Sequence, residues 1–281
     1  MKAMKRWTAL VLAMAMALAL ASCGGGSQSA APAGSGSAAP AASGTAAPAD
    51  DGDPVYGGTF TTYWSEYYNE YDASANDNRN FIDLYCNSLW AVDVDKTDTS
   101  LCETLSVDQL KGSLAESWEV SDDFTTMTVK LRQGVNFADK TAVGIDAKYD
   151  IYGGRALTAA DVKYSYDRVL GLDGVEKVVM DQTDWAGSLY MVDSVEAPDD
   201  QTVIFHFNTN NEVQVNNFMI TVLNICGPEW DQLTDEQKTD YHYAGGTGAF
   251  ILTDYVSDNT MTFVANPNYW EKDADGNQLP Y

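Results

Sequence analysis

The densest concentration of groups able to recognise a ligand is the run Tyr63-Trp64-Ser65-Glu66-Tyr67-Tyr68-Asn69-Glu70-Tyr71. Its rings carry broad apolar faces and polar tips, a combination that suits a wet cleft accepting varied side chains and serves equally well as core packing. Tyr63, Trp64, Ser65 and Glu66 are its foremost candidates, and Asn87 and Trp90 are secondary ones. Gly246-Thr247-Gly248 could present backbone N–H groups to a ligand, although glycines so placed serve first to allow a close backbone approach. All of this chemistry is non-covalent. The only histidines are His206 and His242. His206 alternates with Phe205 and Phe207 and reads as a structural or surface residue. No Ser/His/Asp arrangement, phosphate-binding P-loop or Gly-x-Gly-x-x-Gly occurs. Asp93-Val94-Asp95-Lys96-Thr97-Asp98 has the acidic rhythm of a calcium loop. It has Asp98 where such a loop needs glycine and Thr104 where it needs glutamate, so it reads as a solvated acidic turn. The chain is therefore not expected to be an enzyme, and neither cofactor nor metal is expected.

Hairpins and separate helices must position these residues. One grammar recurs three times: a strand, a polar turn, and a second strand with period-two alternation. Ser117–Val120 meets the turn 121–123, after which Met127, Val129 and Leu131 face one way. Met191–Val195 meets the turn 198–200, followed by Val203, Phe205 and Phe207. Phe250–Val256 meets the turn 257–259, followed by Met261 and Phe263. Thr158 with Asp161 three residues on forms a capping-box-like start. Val162, Tyr166 and Val169 continue it at helical spacing, and Gly171 stops it. Further helices are expected over Asn80–Trp90, from about Glu212, and near Thr234-Asp235-Glu236. The mixture is an α/β or α+β domain, neither a bundle nor a sandwich.

The ends place this domain in a compartment. Lys2, Lys5 and Arg6 precede the uncharged, largely apolar run Trp7–Ala21. That run is shorter than the roughly 20 residues of a permanent membrane span and fits a signal-peptide core. Leu20-Ala21-Ser22-Cys23 matches the bacterial lipobox, so residues 1–22 read as a lipoprotein signal peptide and Cys23 as the lipidated N-terminus. Residues 24–50 are almost wholly Gly, Ser, Ala and Pro, with Ala-Ala-Pro at 30–32, 38–40 and 46–48. Such a stretch has nothing to bury and reads as a flexible tether, reaching to residue 52 and spanning roughly 30 Å. The whole chain carries a net charge of −25. Residues 1–52 contribute +1, so the remainder holds −26 and is a poor partner for nucleic acid or anionic lipid. Of the remaining cysteines, Cys86 and Cys102 could pair in an oxidising compartment or stay as buried thiols, as Cys226 could. The absence of Cys-x-x-Cys leaves zinc and dithiol chemistry without support.

Several blocks resemble a known family. Ala115-Glu116-Ser117-Trp118, Asp122-Asp123-Phe124 and Met127 through Phe137 are similar to the signature of the family 5 extracellular solute-binding proteins. These are the oligopeptide- and dipeptide-binding proteins of ABC importers. Leu157 through Tyr166 resembles the next block, and Gly246-Thr247-Gly248-Ala249-Phe250 with Asn266-Pro267-Asn268-Tyr269-Trp270 a third. Gly57-Gly58-Thr59-Phe60 resembles the opening strand. The chain departs from the pattern between Phe137 and Leu157, where a longer loop reads as a surface insertion.

The resemblance implies a periplasmic-binding-protein-like α/β fold of type II, cluster C-like, with mixed sheet and hairpins. It also implies a chain that stops after the N-terminal lobe, without the second one. Within 53–281, residues of about 53–85 and 190–281 would form the main lobe and 86–189 an inserted subdomain. It implies further that a ligand-facing loop lies at Tyr63–Glu66. The function so implied is capture of extracellular peptides by a monomer tethered through Cys23 to the extracellular face of the cell membrane, or to its periplasmic side if the cell has an outer membrane. Delivery would be to a membrane permease driven by separate ATPase subunits. Other solutes, such as a nickel complex or a glycoside, and a non-functional fragment remain alternatives.

Overall fold

Alternation of period two decides the largest element of the structure. In the computed structural model, which describes residues 54–63, 71–74, 79–97, 105–175, 188–221, 223–257 and 259–280, four antiparallel strands form one sheet. They are β3 (Ala115–Val120), β4 (Thr126–Leu131), β5 (Val192–Asp199) and β6 (Thr202–Phe207), in the order β3-β4-β6-β5. Register places Trp118 and Val203 on either side of Val129, and Val120 and Phe205 on either side of Met127. The apolar positions of all the strands therefore gather on one face. Met127, Val129, Leu131, Val203 and Phe205 are buried there, as the alternation predicts. The other face carries Thr126, Thr128, Lys130 and His206. On it Lys130 donates to Thr202 Oγ1 at 2.7 Å, and His206 lies 3.2 Å from Glu196. One face packed and one polar is the usual state of an antiparallel sheet.

Two helices cover the apolar face. Asp161 accepts the Thr158 backbone N–H at 2.9 Å to start the helix Ala159–Leu170, and Gly171 ends it with φ of 71°. The Asn211 side chain caps the helix Glu212–Ile220 by accepting from Val213 N–H at 2.9 Å. Tyr166 meets Phe205 edge-on at 4.8 Å, and Phe218 meets Phe205 and Phe207 at 5.1 and 5.2 Å. Aspartates close the turns: Asp123 accepts from Ser121 and Thr125, and Asp199 from Gln201 and Thr202.

The third hairpin, β7 (Phe250–Val256) with β8 (Thr260–Ala265), is a separate two-stranded sheet. It packs with the first helix among the described residues, Arg79–Tyr85, in a second core that holds Tyr71, Phe81, Ile82, Tyr85, Cys86, Cys226, Trp230 and Leu252. Residue 189, where the sequence suggests a subdomain boundary, precedes β5 and β6, which share the sheet of β3 and β4. Residues 52–281 form one compact unit.

Three sequence expectations change. The helix expected to run to Trp90 ends at Tyr85. Beyond it the backbone finds other partners: Asn87 O accepts from Ile225 N–H, and Trp90 begins the short strand β1 (Trp90–Val92), paired with β2 (Leu110–Gly112). Residues 54–63, which include the expected opening strand, belong to no helix or strand; Gly57 and Gly58 take φ of 99° and 91°, and Phe60 is 90% exposed. The long loop after Phe137 is only partly a surface feature. Its 3-10 turns Lys140–Val143 and Ala147–Tyr149 are capped by Asp139 and Asp146, but Lys140 and Tyr152 are buried. The Tyr152 ring stacks on Phe137 at 4.1 Å, which gives the loop its own apolar anchor.

Gly248 offers a direct test of this packing. A Cβ built there would stand 2.4 Å from the Tyr85 carbonyl carbon, which is backbone and cannot swing aside. Gly248→Ala is expected to cost about 2 kcal/mol or more in urea unfolding, as overpacked sites do. Gly144→Ala, with open space around its Cβ and φ of +84°, is expected to cost only about 1 kcal/mol of backbone strain.

Candidate functional site

The residues singled out from the sequence divide into three groups in space. Asn87, Gly246, Thr247 and Gly248 come together. Asn87 leaves the first helix just after its last bond, Cys86 N–H to Ile82 O at 2.8 Å. Its side-chain carbonyl then accepts from Thr247 Oγ1 at 3.0 Å and from Trp270 Nε1 at 3.2 Å. The Gly248 N–H donates to Tyr85 O at 2.9 Å, so that donor faces the helix end and not a cleft. A Cβ on Gly246 would lie 2.5 Å from Tyr85 O and 2.6 Å from Cys86 Sγ. These two glycines thus serve the close approach that lets Thr247, itself fully buried, reach Asn87.

Trp90 goes elsewhere. Its ring packs edge-on against Trp118 and Phe218, each at 5.9 Å, in the sheet core. Its indole N–H finds no acceptor among the described residues. Tyr63 is 93% exposed at the end of a described segment. Trp64, Ser65 and Glu66 lie outside the described residues, as do Cys23 and Cys102. Cys86 and Cys226 are buried free thiols, and burial pushes Cys226 up to about 11.

Sequence reasoning missed the partners that complete the Asn87 junction. Trp270 carries the Arg132 guanidinium over its ring at 5.1 Å, while Arg132 Nε donates to Ser113 O at 3.1 Å. Tyr269 donates to Glu271 at 2.9 Å, and Glu271 in turn meets Lys111 at 3.5 Å. Burial raises the Tyr269 phenol, and Glu271 adds to the effect. The signal that could have found this set is the Asn-Pro-Asn-Tyr-Trp block itself, whose aromatic pair carries polar tips. A hollow of about 420 Å³ opens beside Tyr269, lined in part by Asn136, Asp139, Asn268 and Gln278. A second, of about 470 Å³, lies around Tyr149, Gln237 and Tyr243. Neither is lined by the residues chosen from the sequence.

The last residue of the aromatic run, Tyr71, lies next to a buried ion cluster. Tyr71 closes that run and sits in the second core, edge-on to Phe81 and Tyr255 at 6.3 Å each, with its carbonyl accepting from Tyr85 OH at 3.1 Å. Next to it, Asp72 receives both terminal nitrogens of Arg168, the first at 2.8 Å, and the Trp230 indole N–H at 2.9 Å. Arg168 is 2% exposed and also grips Asp231 through Nε at 2.7 Å. Lys238 and Tyr164 contact the same Asp231. A cation this deep is tolerable only with such full pairing. A second fork, Arg155 between Asp161 and Glu229, ties the start of the long helix to residues 227–232. The chemistry available at the site is that of amide, hydroxyl, indole, phenol and guanidinium groups, which is to say hydrogen bonding and stacking.

The chain matches the family model described as bacterial extracellular solute-binding proteins, family 5, middle, over residues 109–281. It is 28% identical over 169 residues to heme-binding protein A of Haemophilus influenzae, covering 58% of this chain and 29% of that protein. It is 29% identical over 167 residues to di/tripeptide-binding protein 1 of Pseudomonas aeruginosa, covering 57% and 30%. Among solved structures, the Haemophilus influenzae OppA complex with a nonapeptide superposes with a TM-score of 0.52 at 20% identity, covering 73% of this chain and 37% of that one. That likeness establishes the fold as mixed α/β. The chain spans about a third of the length of the curated relatives it matches.

The Arg168 cluster sets an acid limit on stability. Burial would raise Asp231, but Arg168, Tyr164 and Lys238 outweigh it and hold the carboxyl at about 2. Its folded value lies below its unfolded one, so its contribution is complete above about pH 4 and is lost as pH falls toward 2. In urea unfolding across this range, Asp231→Asn should flatten the acid loss of stability by about 1–2 kcal/mol, discounted for solvent screening.

Proposed function

The chain belongs to the bacterial extracellular solute-binding proteins of family 5, and from that premise we propose that it captures extracellular peptides for an ABC importer. The family consists of binding proteins, not enzymes, so the work is recognition and release. The observation that carries the reading is the Asn87 junction. Four separated chain segments converge there to align an amide, a hydroxyl and an indole N–H beside a guanidinium. With the Thr247 hydroxyl and the Trp270 indole N–H spent on holding Asn87, the Asn87 amide and the Arg132 guanidinium are the groups that would grip a peptide main chain without reference to its side chains, and water can fill the remaining space. Tyr63, Trp64, Ser65 and Glu66 would add phenol, indole, hydroxyl and carboxylate groups to the recognition of the ligand. Relatives named for di- and tripeptide binding, at 27–29% identity, support this ligand class. Closure of a second lobe over the ligand would complete the trap. Lipidation of Cys23 would hold the protein on the extracellular face of the cell membrane, or on its periplasmic side if the cell has an outer membrane. The permease would receive the cargo, and separate ATPase subunits would drive its transfer.

The name of heme-binding protein A, a relative at 28% identity, makes heme the specific rival. Calorimetric titration of the mature protein with defined di- and tripeptides, with hemin, and with nickel–histidine separates the readings. Binding of at least one peptide class is expected, and Asn87→Ala should weaken it about tenfold, the worth of one well-placed hydrogen bond. Binding of hemin alone would overturn the peptide assignment. Peptide binding unaffected by Asn87→Ala would remove the junction from the site.

A further inference from the structure

Lys140 is a residue that the recognition chemistry above leaves unused, and its placement is unusual. It lies within the long loop after Phe137 and is 2% exposed. An ammonium group removed from water needs all three of its N–H bonds satisfied. Lys140 Nζ donates to Ala244 O at 2.8 Å, to Tyr149 O at 3.4 Å and, at short range, to His242 O. Three donors meet three backbone carbonyls. Among the described residues no carboxylate pairs with Nζ directly; Asp150 and Asp240 act on it from farther away. The cation therefore stands in for a bound ion, neutralising a point where carbonyl dipoles from two loops converge.

One of those loops is its own. The other, residues 241–248, leads into the Asn87 junction. Ala244 and Thr247 are three residues apart, at most about 10 Å of chain. Two contacts run beside the ammonium cage: Ala138 N–H donates to Gly246 O at 2.8 Å, and the Tyr149 ring stacks on His242 at 4.4 Å. Past them the glycines press on Tyr85 and Cys86 and Thr247 reaches Asn87. We propose that Lys140 is a positioning residue for the candidate site, an internal cation that collects the carbonyls of Tyr149, His242 and Ala244 and so fixes where Thr247 stands against Asn87. The proposal rests on reading that junction as the ligand site, and its test is chosen so that the two can fail separately.

The test uses hydrogen exchange of the full chain without ligand, comparing wild type with Lys140→Met and Lys140→Ala. Protection should fall at least tenfold at Ala138 and across 241–248, while β4 and β6 keep theirs. In Lys140→Ala, n-propylammonium supplies the three carbons and the nitrogen that the substitution removes. It should restore the protection, whereas propanol should not. Should both variants fail to fold, the wild type still reports: a caged ammonium gives a slowly exchanging lysine ¹⁵Nζ–H signal. Unchanged protection at 241–248, or a lysine ammonium that exchanges as freely as a surface one, would overturn the proposal. Peptide titration of Lys140→Met then judges the site: lost protection with unaltered affinity keeps the anchoring role and removes the junction from the ligand site.

Discussion

The backbone of Gly246–Gly248 lies directly on the backbone at the end of the first helix, closer than any side chain would permit. Most of what surrounds the site follows from this contact. It lets Gly248 satisfy Tyr85 O, a buried carbonyl at the helix terminus. It brings Thr247 to Asn87, and Asn87 then receives Trp270 from the end of the third hairpin. Asn266 secures the far side by donating to Gly248 O at 3.0 Å. A lobe that must present fixed hydrogen-bonding groups needs those groups on rigid supports, and here the support is main chain against main chain.

Charge is organised on a similar principle. The chain carries a large negative excess, yet two cations, Arg168 and Lys140, are among its most deeply buried side chains. Each joins segments distant in sequence. Arg168 uses carboxylates and Lys140 uses carbonyls, as befits a planar fork and a compact point charge. Part of the acidic excess sits in turns and helix starts, where Asp123, Asp139, Asp146 and Asp199 hold backbone N–H or hydroxyl groups. These carboxylates serve turn chemistry.

What was legible in the sequence is what short-range physics controls. The alternation of Met127, Val129 and Leu131, and of Val203 and Phe205, named the buried face correctly because side chains on a strand have a period of two. Thr158, Asp161 and Gly171 marked both ends of a helix for local reasons of capping and backbone freedom. Long-range pairing was not legible. Nothing near Asn87 signals that Ile225 and Gly248 will claim the backbone around it, so the first helix was read five residues too long. The order β3-β4-β6-β5 depends on a crossover of some sixty residues and is invisible to local patterns. Asn87 and the 246–248 loop, singled out by residue type, do meet in space. Trp90 was drawn into the core by Trp118 and Phe218, and Lys140 gave no signal, because a lysine in a polar loop looks solvated until its carbonyl partners are known.

The central claim is that this lobe is a ligand-gripping surface centred on the Asn87 junction. Differential hydrogen exchange of the mature protein, with and without a saturating di- and tripeptide mixture, tests it by location. The account predicts new protection at residues 63–71, 85–90 and 246–271. Protection confined to the outer face of the four-stranded sheet, or none at these segments under conditions where peptide binds, would contradict it.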